Sequence, residues 1–255
     1  MSVKVRDIVA ALENFAPLPL QESYDNAGLQ MGLTEADVSG ALLCLDVTEA
    51  VVREAIDLGC NMIVSHHPVL FHGLKHIGED SDVERVVRLA VKNDIAIYSA
   101  HTNLDKAENG VNYRMADKLG LIDVVPCGDC GVIGYLPASM ESNLFLDKVK
   151  ETFHCDCLMH NEPLEREISC VALCGGAGDF LLDEALVQEA DAFLTGEMHY
   201  HRYFGMEQRI QIAVMGHYES EQYTTEIFEE LLSDEFPTLP IYITEVDTNP
   251  VQYLF

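Results

Sequence analysis

The sequence predicts an α/β protein: two interlinked α/β lobes with largely parallel sheets covered by helices. Three observations predict it. Apolar runs of strand length alternate with helical patterns along the chain. The runs are continuous rather than polar at every second residue, as in strands buried on both faces. No low-complexity tract or linker parts the two sets of elements, so the lobes are expected to pack tightly.

The opening MSVKVRDIVAALENF places Val5, Ile8, Val9 and Leu12 on one stripe with charges opposite, which predicts a helix and lacks the long apolar core of an export signal. Residues 41–46 (ALLCLD) form a buried-strand run. Thr48 then caps a helix whose Val51, Val52, Ala55 and Ile56 recur at helical spacing until Gly59 stops it. Residues 61–65 (NMIVS) read as a strand, Ser81 with Glu84 as the capping box of a helix, and residues 95–100 (IAIYSA) as the next strand. The second set runs strand GVIGYL, a helix carrying Phe145, Val149 and Phe153, strand ISCVALC, a helix over 180–190 and strand DAFL. Strand IQIAVMG, a helix after Ser220 and strand IYITEV close the chain. A soft boundary near Pro126 gives a first lobe of residues 1–125 with 216–255 and a second of 126–215.

Composition narrows the function classes. The 255 residues are 48% apolar and 23% charged, enough for one large domain or two small ones with a substantial core. The longest apolar runs are five residues, where a membrane helix needs about 18, so no membrane span is expected. With 15 basic against 43 acidic residues the net charge is −28, and such a surface repels phosphate backbones and anionic lipid. Direct nucleic-acid binding is therefore disfavoured. An anionic small-molecule substrate must meet a locally positive site, and bound cations supply one. Eight cysteines without an export signal, several inside apolar runs, read as reduced and mostly buried in a cytoplasmic protein.

The reactive residues fall where ligands bind in open α/β sheets, beyond the carboxyl ends of strands. ALLCL ends in Asp46; MIVS in His66 and His67; IAIYSA in His101, with Asn103 and Asp105 beyond. DAFL ends in Thr195, Gly196 and Glu197, then His199 and His201, and IAVMG in His217, with Glu219 and Glu221. Imidazole with carboxylate suits zinc, manganese, iron, cobalt or nickel better than calcium or magnesium. Adjacent His66 and His67 cannot easily turn both rings onto one ion, but each can serve one ion of a close pair. Two-metal sites hold their ions about 3.5–4 Å apart with shared carboxylates, for which Asp105 and Glu221 are the candidates. If their turn is helical, His217 and Glu221 share a face.

The remaining motifs carry less. His72, His76, His154 and His160 read as surface residues, whereas His101, His199 and His201 can orient ligands or move protons. Cys127 with Cys130 and Cys155 with Cys157 could hold zinc, but the second spacing is wrong for a knuckle. The turn with Gly175, Gly176 and Gly178 lacks the Lys-Ser/Thr of a phosphate loop and reads as a tight turn. Tyr24, Asp25, Asn26, Ala27 and Gly28 also read as a turn, with a site role only if it folds over the strand ends. No Gly-x-Ser-x-Gly elbow signals acyl chemistry.

Together SHHPVLF (65–71), AHTNLD (100–105), TGEMHYH (195–201) and GHYESE (216–221), with YDNAGL near the start, resemble the Nif-three-like family of dinuclear-metal proteins, the YbgI-like or GTP cyclohydrolase 1 type 2-like group, in its short form without an inserted domain. The resemblance covers the chain end to end. It implies a toroidal homohexamer, a trimer of dimers, with a site for two divalent transition-metal ions per chain facing an internal cavity. Carried over by motif, the ligands are His66, His67, Asp105, His217 and Glu221, with His101 and His201 as auxiliary, catalytic histidines. The TGE segment holds both His199 and His201, and counting favours His201. The function expected is metal-dependent hydrolysis of a small nucleotide-like or phosphorylated compound; the alternative is a non-enzymatic metal chaperone or regulatory scaffold. The number of additional polar groups at the strand ends favours the enzyme.

Overall fold

The computed structural model describes residues 2–254, which divide into two compact units. One unit runs to Ala107 and resumes over Thr224–Pro250; the other comprises Glu108–Tyr223 and the residues from Val251. In chain order the first contains α1 (Val5–Phe15), β1 (Gly28–Met31), β2 (Ala41–Cys44), α2 (Glu49–Leu58), β3 (Met62–Ser65), α3 (Asp82–Lys92), β4 (Ala96–Ser99) and α4 (Thr102–Lys106). The second holds α5 (Val111–Leu119), β5 (Ile122–Cys127), β6 (Gly131–Met140), α6 (Ser142–Thr152), β7 (Met159–His160), β8 (Ile168–Cys174), α7 (Leu182–Val187), β9 (Ala192–Thr195), β10 (Gln211–Val214) and α8 (His217–Glu221). Helix α9 (Thr224–Glu235) and β11 (Ile241–Ile243) return to the first.

In the first unit the sheet order is β1-β4-β3-β2-β11. Strands β11, β2, β3 and β4 are parallel, and β1 adds antiparallel to β4. The register aligns Cys44 with Ser65 and Ser65 with Ser99, so the strands feeding Asp46, His66 and His101 end level at one sheet edge. Local chemistry sets the covering helices. Thr48 Oγ1 accepts the Val51 N–H at 3.3 Å to start α2, and Gly59 closes it at φ +72°, where a glycine pays no Cβ penalty. Ser81 Oγ caps α3 through the Glu84 N–H at 3.2 Å. The reciprocal half of the expected capping box is absent: the Glu84 carboxylate instead accepts the N–H groups of Gly78 and Asp80, because the preceding loop folds back over it. Val51, Val52, Ala55, Val86 and Ala90 of the two helices pack on Leu42, Ile63 and Ile97.

In the second unit the order is β5-β6-β8-β9-β10-β7. The centre β8-β9-β10 is parallel, and antiparallel pairings flank it. Alternate residues of β8 face opposite cores: Val171 and Leu173 meet Phe145, Val149 and Leu119, while Ala172 and Cys174 meet Leu182 and Ala185. The register aligns Cys174 with Thr195 and Thr195 with Val214, so the Gly175 turn, Glu197 and His217 follow level strand ends.

Periodicity did not disclose β1, β5, β7 or α5. Strand β5 lies at an edge, exposed along most of its length, and carries Pro126 where an edge strand tolerates it. The helix expected over 180–190 is a 3₁₀ turn, Asp179–Leu181, followed by the short α7. Cys127 and Cys155 lie in different cores, so the CxxC and CxC pairs serve different packing layers. Among the described residues no helix is long and apolar enough to cross a membrane.

Candidate metal centre

In the first unit the ladder carries past β3: the N–H groups of His66 and His67 donate to the carbonyls of Cys44 and Leu45. The Ser65 and Ser99 hydroxyls, 2.8 Å apart, both bond the His67 carbonyl. His66 is fully buried, and its Nδ1 lies 2.8 Å from the Ala100 carbonyl. A carbonyl only accepts, so Nδ1 carries the proton and Nε2 presents a lone pair. His67 Nδ1 lies 2.7 Å from Asp46 Oδ1, and the Thr248 hydroxyl donates to Asp46 Oδ2 at 2.9 Å. Burial pushes the Asp46 carboxyl up, but hydrogen bonds from His67 and Thr248 and the neighbouring imidazoles outweigh it and hold it below the usual carboxylate range.

His101 belongs to the same group. The donor nitrogens of His66, His67 and His101 lie within 4.8 Å of one another. Its Nδ1 sits 2.7 Å from Asp25 Oδ1, and Asp25 Oδ2 accepts the Thr102 N–H and hydroxyl. Burial alone would raise the Asp25 carboxyl; the bonds from His101 and Thr102 bring it down to about 2. Asn103 accepts the His101 N–H at 2.9 Å and donates to the Ala16 carbonyl at 2.7 Å. Asp105, on the turn of α4, brings Oδ1 to 3.7 Å from His66 Nε2. A cavity of about 410 Å³ opens beside His67 and Asp46, walled by Val69, Val86 and the first turn of α2.

In the second unit α8 places His217 and Glu221 on one face, with His217 Nε2 at 3.1 Å from Glu221 Oε2. Its N-cap, Gly216, is at φ +108°. His217 Nδ1 lies 2.7 Å from Glu197 Oε1. Gly176 forms the floor: a Cβ there would lie 2.3 Å from Glu221 Oε1, so the carboxylate rests on glycine. Ser220 Oγ accepts the Gly176 N–H at 2.9 Å and donates to the His217 carbonyl at 2.8 Å. Thr195 bonds the Gly176 carbonyl and the Gly178 N–H, which gives the TGE threonine a structural role. Of the two TGE histidines, His199 is exposed with Nδ1 2.5 Å from Asp179, and His201 is exposed on the turn Tyr200–Tyr203 against Tyr200 and Phe204.

The donor set fits divalent transition ions. Two ligand atoms about 2.1 Å from one ion stand about 3.0–3.4 Å apart, and the His217–Glu221 separation of 3.1 Å falls in that interval. His72, His154 and His160 are exposed, as the sequence suggested. His76 is exposed too, but its donor atom lies within 4.8 Å of those of Asp80 and Glu84. Glu84 there already staples the loop through Gly78 and Asp80, which accounts for the cluster without an ion. Sequence reasoning did not assign Asp25 to His101; YDNAG was read as a turn, and its carboxylate acts on a residue 76 positions away.

Residues 3–250 match the family model described as Duf34/NIF3 (NGG1p interacting factor 3). The chain is 31% identical over 268 residues to a GTP cyclohydrolase 1 type 2 homolog of Clostridium acetobutylicum, covering 99% of this chain and 100% of that one. It is 30% identical over 262 residues to NIF3-like protein 1 of Drosophila melanogaster, covering 97% and 88%. A Bacillus cereus protein related to NIF3 has the same fold, with a TM-score of 0.91 over 100% of both chains at 24% identity.

Proposed function

The chain belongs to the Duf34/NIF3 family, and from that premise we propose that it is a dinuclear metal-dependent hydrolase of a small nucleotide-like or phosphorylated compound. The proposed ligands are His66, His67, Asp105, His217 and Glu221, with Asp105 and Glu221 as the candidates for a shared carboxylate. One observation carries the reading. His66, His67 and His217 each have Nδ1 engaged by a carbonyl or carboxylate, the arrangement that fixes the tautomer and orients Nε2 of metal-ligating histidines.

When bound, two divalent ions at these residues would supply Lewis acidity. The protein's own groups do the rest. Asp46 and Glu197 hold the rings of His67 and His217 and raise their basicity as ligands. Asp25 fixes the His101 ring, so Nε2 is the atom at which His101 accepts and returns a proton. His201, on its exposed turn, is the second proposed proton-transfer group. The cavity beside His67 suits a small molecule, and the name of the clostridial relative puts purine nucleotides first among compounds to try. A cytoplasmic homohexameric ring completes the reading; light scattering that gives a monomer would overturn that part.

The test is metal analysis and an activity screen over nucleotides, phosphoesters and cyclic amides after reconstitution with zinc, manganese or iron. Near two ions per chain are expected. His67→Ala should lose metal and turnover, and His101→Ala should keep metal and lose turnover. Metal content near zero after reconstitution overturns the metal reading. Metal that is bound but passed to a partner protein, with no compound turned over, replaces the enzyme by a metal-delivery scaffold.

A further inference from the structure

Directly behind the Glu221 floor lies a pair of thiols that the metal chemistry does not use. Cys174 ends β8, Cys130 sits in the turn joining β5 and β6, and their sulfurs are 3.4 Å apart. Cys130 is half-buried and Cys174 buried, so one sulfur can meet a solvent oxidant and the other is placed to resolve the product. Cys127 and Cys170 share that core, where burial pushes the Cys127 thiol up to about 11 and raises that of Cys170, which keeps both inert.

The pair is tied to the metal-binding face by a short chain of contacts. Asn112, buried between the two turns, donates to the Cys130 carbonyl at 2.8 Å and accepts the Gly175 N–H at 2.8 Å. Gly175 continues into Gly176, which carries the Glu221 carboxylate and whose carbonyl accepts the Glu197 N–H at 2.9 Å. A disulfide needs a sulfur separation of about 2.05 Å, so the two sulfurs must approach by about 1.3 Å, an approach shared between the cysteine side-chain torsions and the turns that carry them. Metal–ligand distances fall within about 0.2 Å of their standard values, so a shift of the Glu221 carboxylate bears on its fitness as a ligand.

We propose that Cys130 and Cys174 are a reversible dithiol switch whose oxidation moves the Gly175–Gly176 turn and weakens metal binding through Glu221. The second half of this rests on Glu221 being a ligand, as proposed above. With hydrogen peroxide as oxidant, the Cys130 sulfur attacks one peroxide oxygen; the O–O bond breaks, a sulfenic acid forms and one water leaves. The Cys174 sulfur then attacks the Cys130 sulfur; the S–O bond breaks, the S–S bond forms and a second water carries off the remaining proton. Two electrons pass from the thiols to the peroxide, and a dithiol reductant reverses the change.

The experiment uses the full chain and zinc, which is redox-inert. Metal-free protein is treated with hydrogen peroxide, alkylated and mapped by mass spectrometry, and zinc affinity is measured by chelator competition before and after. A peptide linked through 130 and 174, lost on dithiothreitol treatment and in Cys130→Ser, is expected, together with at least tenfold weaker zinc binding after oxidation. Cys130→Ser should bind zinc equally well with and without peroxide. Sulfinic acid at Cys130 with no linked peptide overturns the switch, and a linked peptide with unchanged zinc affinity overturns its coupling to Glu221. If the reduced protein binds no zinc, it is the metal reading that fails, and the linked peptide alone then decides the thiol pair.

Discussion

Gly176→Ala is the sharpest perturbation of the Glu221 face. The new Cβ would lie 2.3 Å from Glu221 Oε1, against about 3.5 Å for a relaxed non-bonded contact, so the carboxylate must retreat by about an ångström. That is several times the range of about 0.2 Å within which metal–ligand distances fall. Disturbance of groups supporting a site costs about 10–100-fold in metal affinity, and at least the lower figure is expected here, equivalent to about 1.4 kcal/mol. The residue also sits at φ +57°, where an L side chain adds about 1–2 kcal/mol of backbone strain. Gly59→Ala separates the two effects. It carries a similar left-handed φ, +72°, but its Cβ would meet nothing within 4 Å. Urea unfolding in chelator should show both variants destabilised by about 1–2 kcal/mol. Chelator competition should show weakened zinc binding in Gly176→Ala alone. A folded Gly176→Ala that keeps wild-type zinc affinity and stoichiometry would refute the placement of Glu221 as a ligand seated on Gly176.

Two further outcomes follow from the groups behind the imidazoles. Asp46→Asn keeps an oxygen acceptor for His67 Nδ1–H but removes the charge, and zinc affinity should fall about 10–100-fold; an unchanged affinity by chelator competition removes Asp46 from the support of His67. Asp25 has its carboxyl depressed from 3.8 to about 2 on folding, so its contribution, about 2 kcal/mol, is complete above the unfolded value and lost as pH falls toward 2. The stability advantage of the wild type over Asp25→Asn, read from urea midpoints, should therefore be flat from pH 7 to 5 and shrink between pH 5 and 3. A difference that stays constant across that interval contradicts the ionic hydrogen bond to His101.

Much of the fold was legible in the sequence because its signals are local. Continuous apolar runs marked β2, β3, β4, β8, β9 and β10, and the capping residues Thr48, Gly59 and Ser81 act on helices that begin or end beside them. Since each of those strands is followed at once by polar residues, the chain order alone placed Asp46, His66, His67, His101, Glu197 and His217 at strand ends. The edge strands β1, β5 and β7 escaped notice because half-exposed backbone needs no apolar run: β5 alternates no clean pattern, and β1 follows directly on a turn, whereas β11, also at an edge, was legible in IYITEV. Only the tertiary structure decided which carboxylate serves which imidazole. Asp25 reaches His101, Asp46 reaches His67, Glu197 reaches His217, and Gly176 lies under Glu221, each pair separated by 20 or more residues. The same holds for Cys130 and Cys174, 44 residues apart, which no spacing rule pairs. Hydrophobic patterning and capping act over a turn or a strand. The meeting of these side chains depends on sheet order and register, which exist only once distant segments have packed.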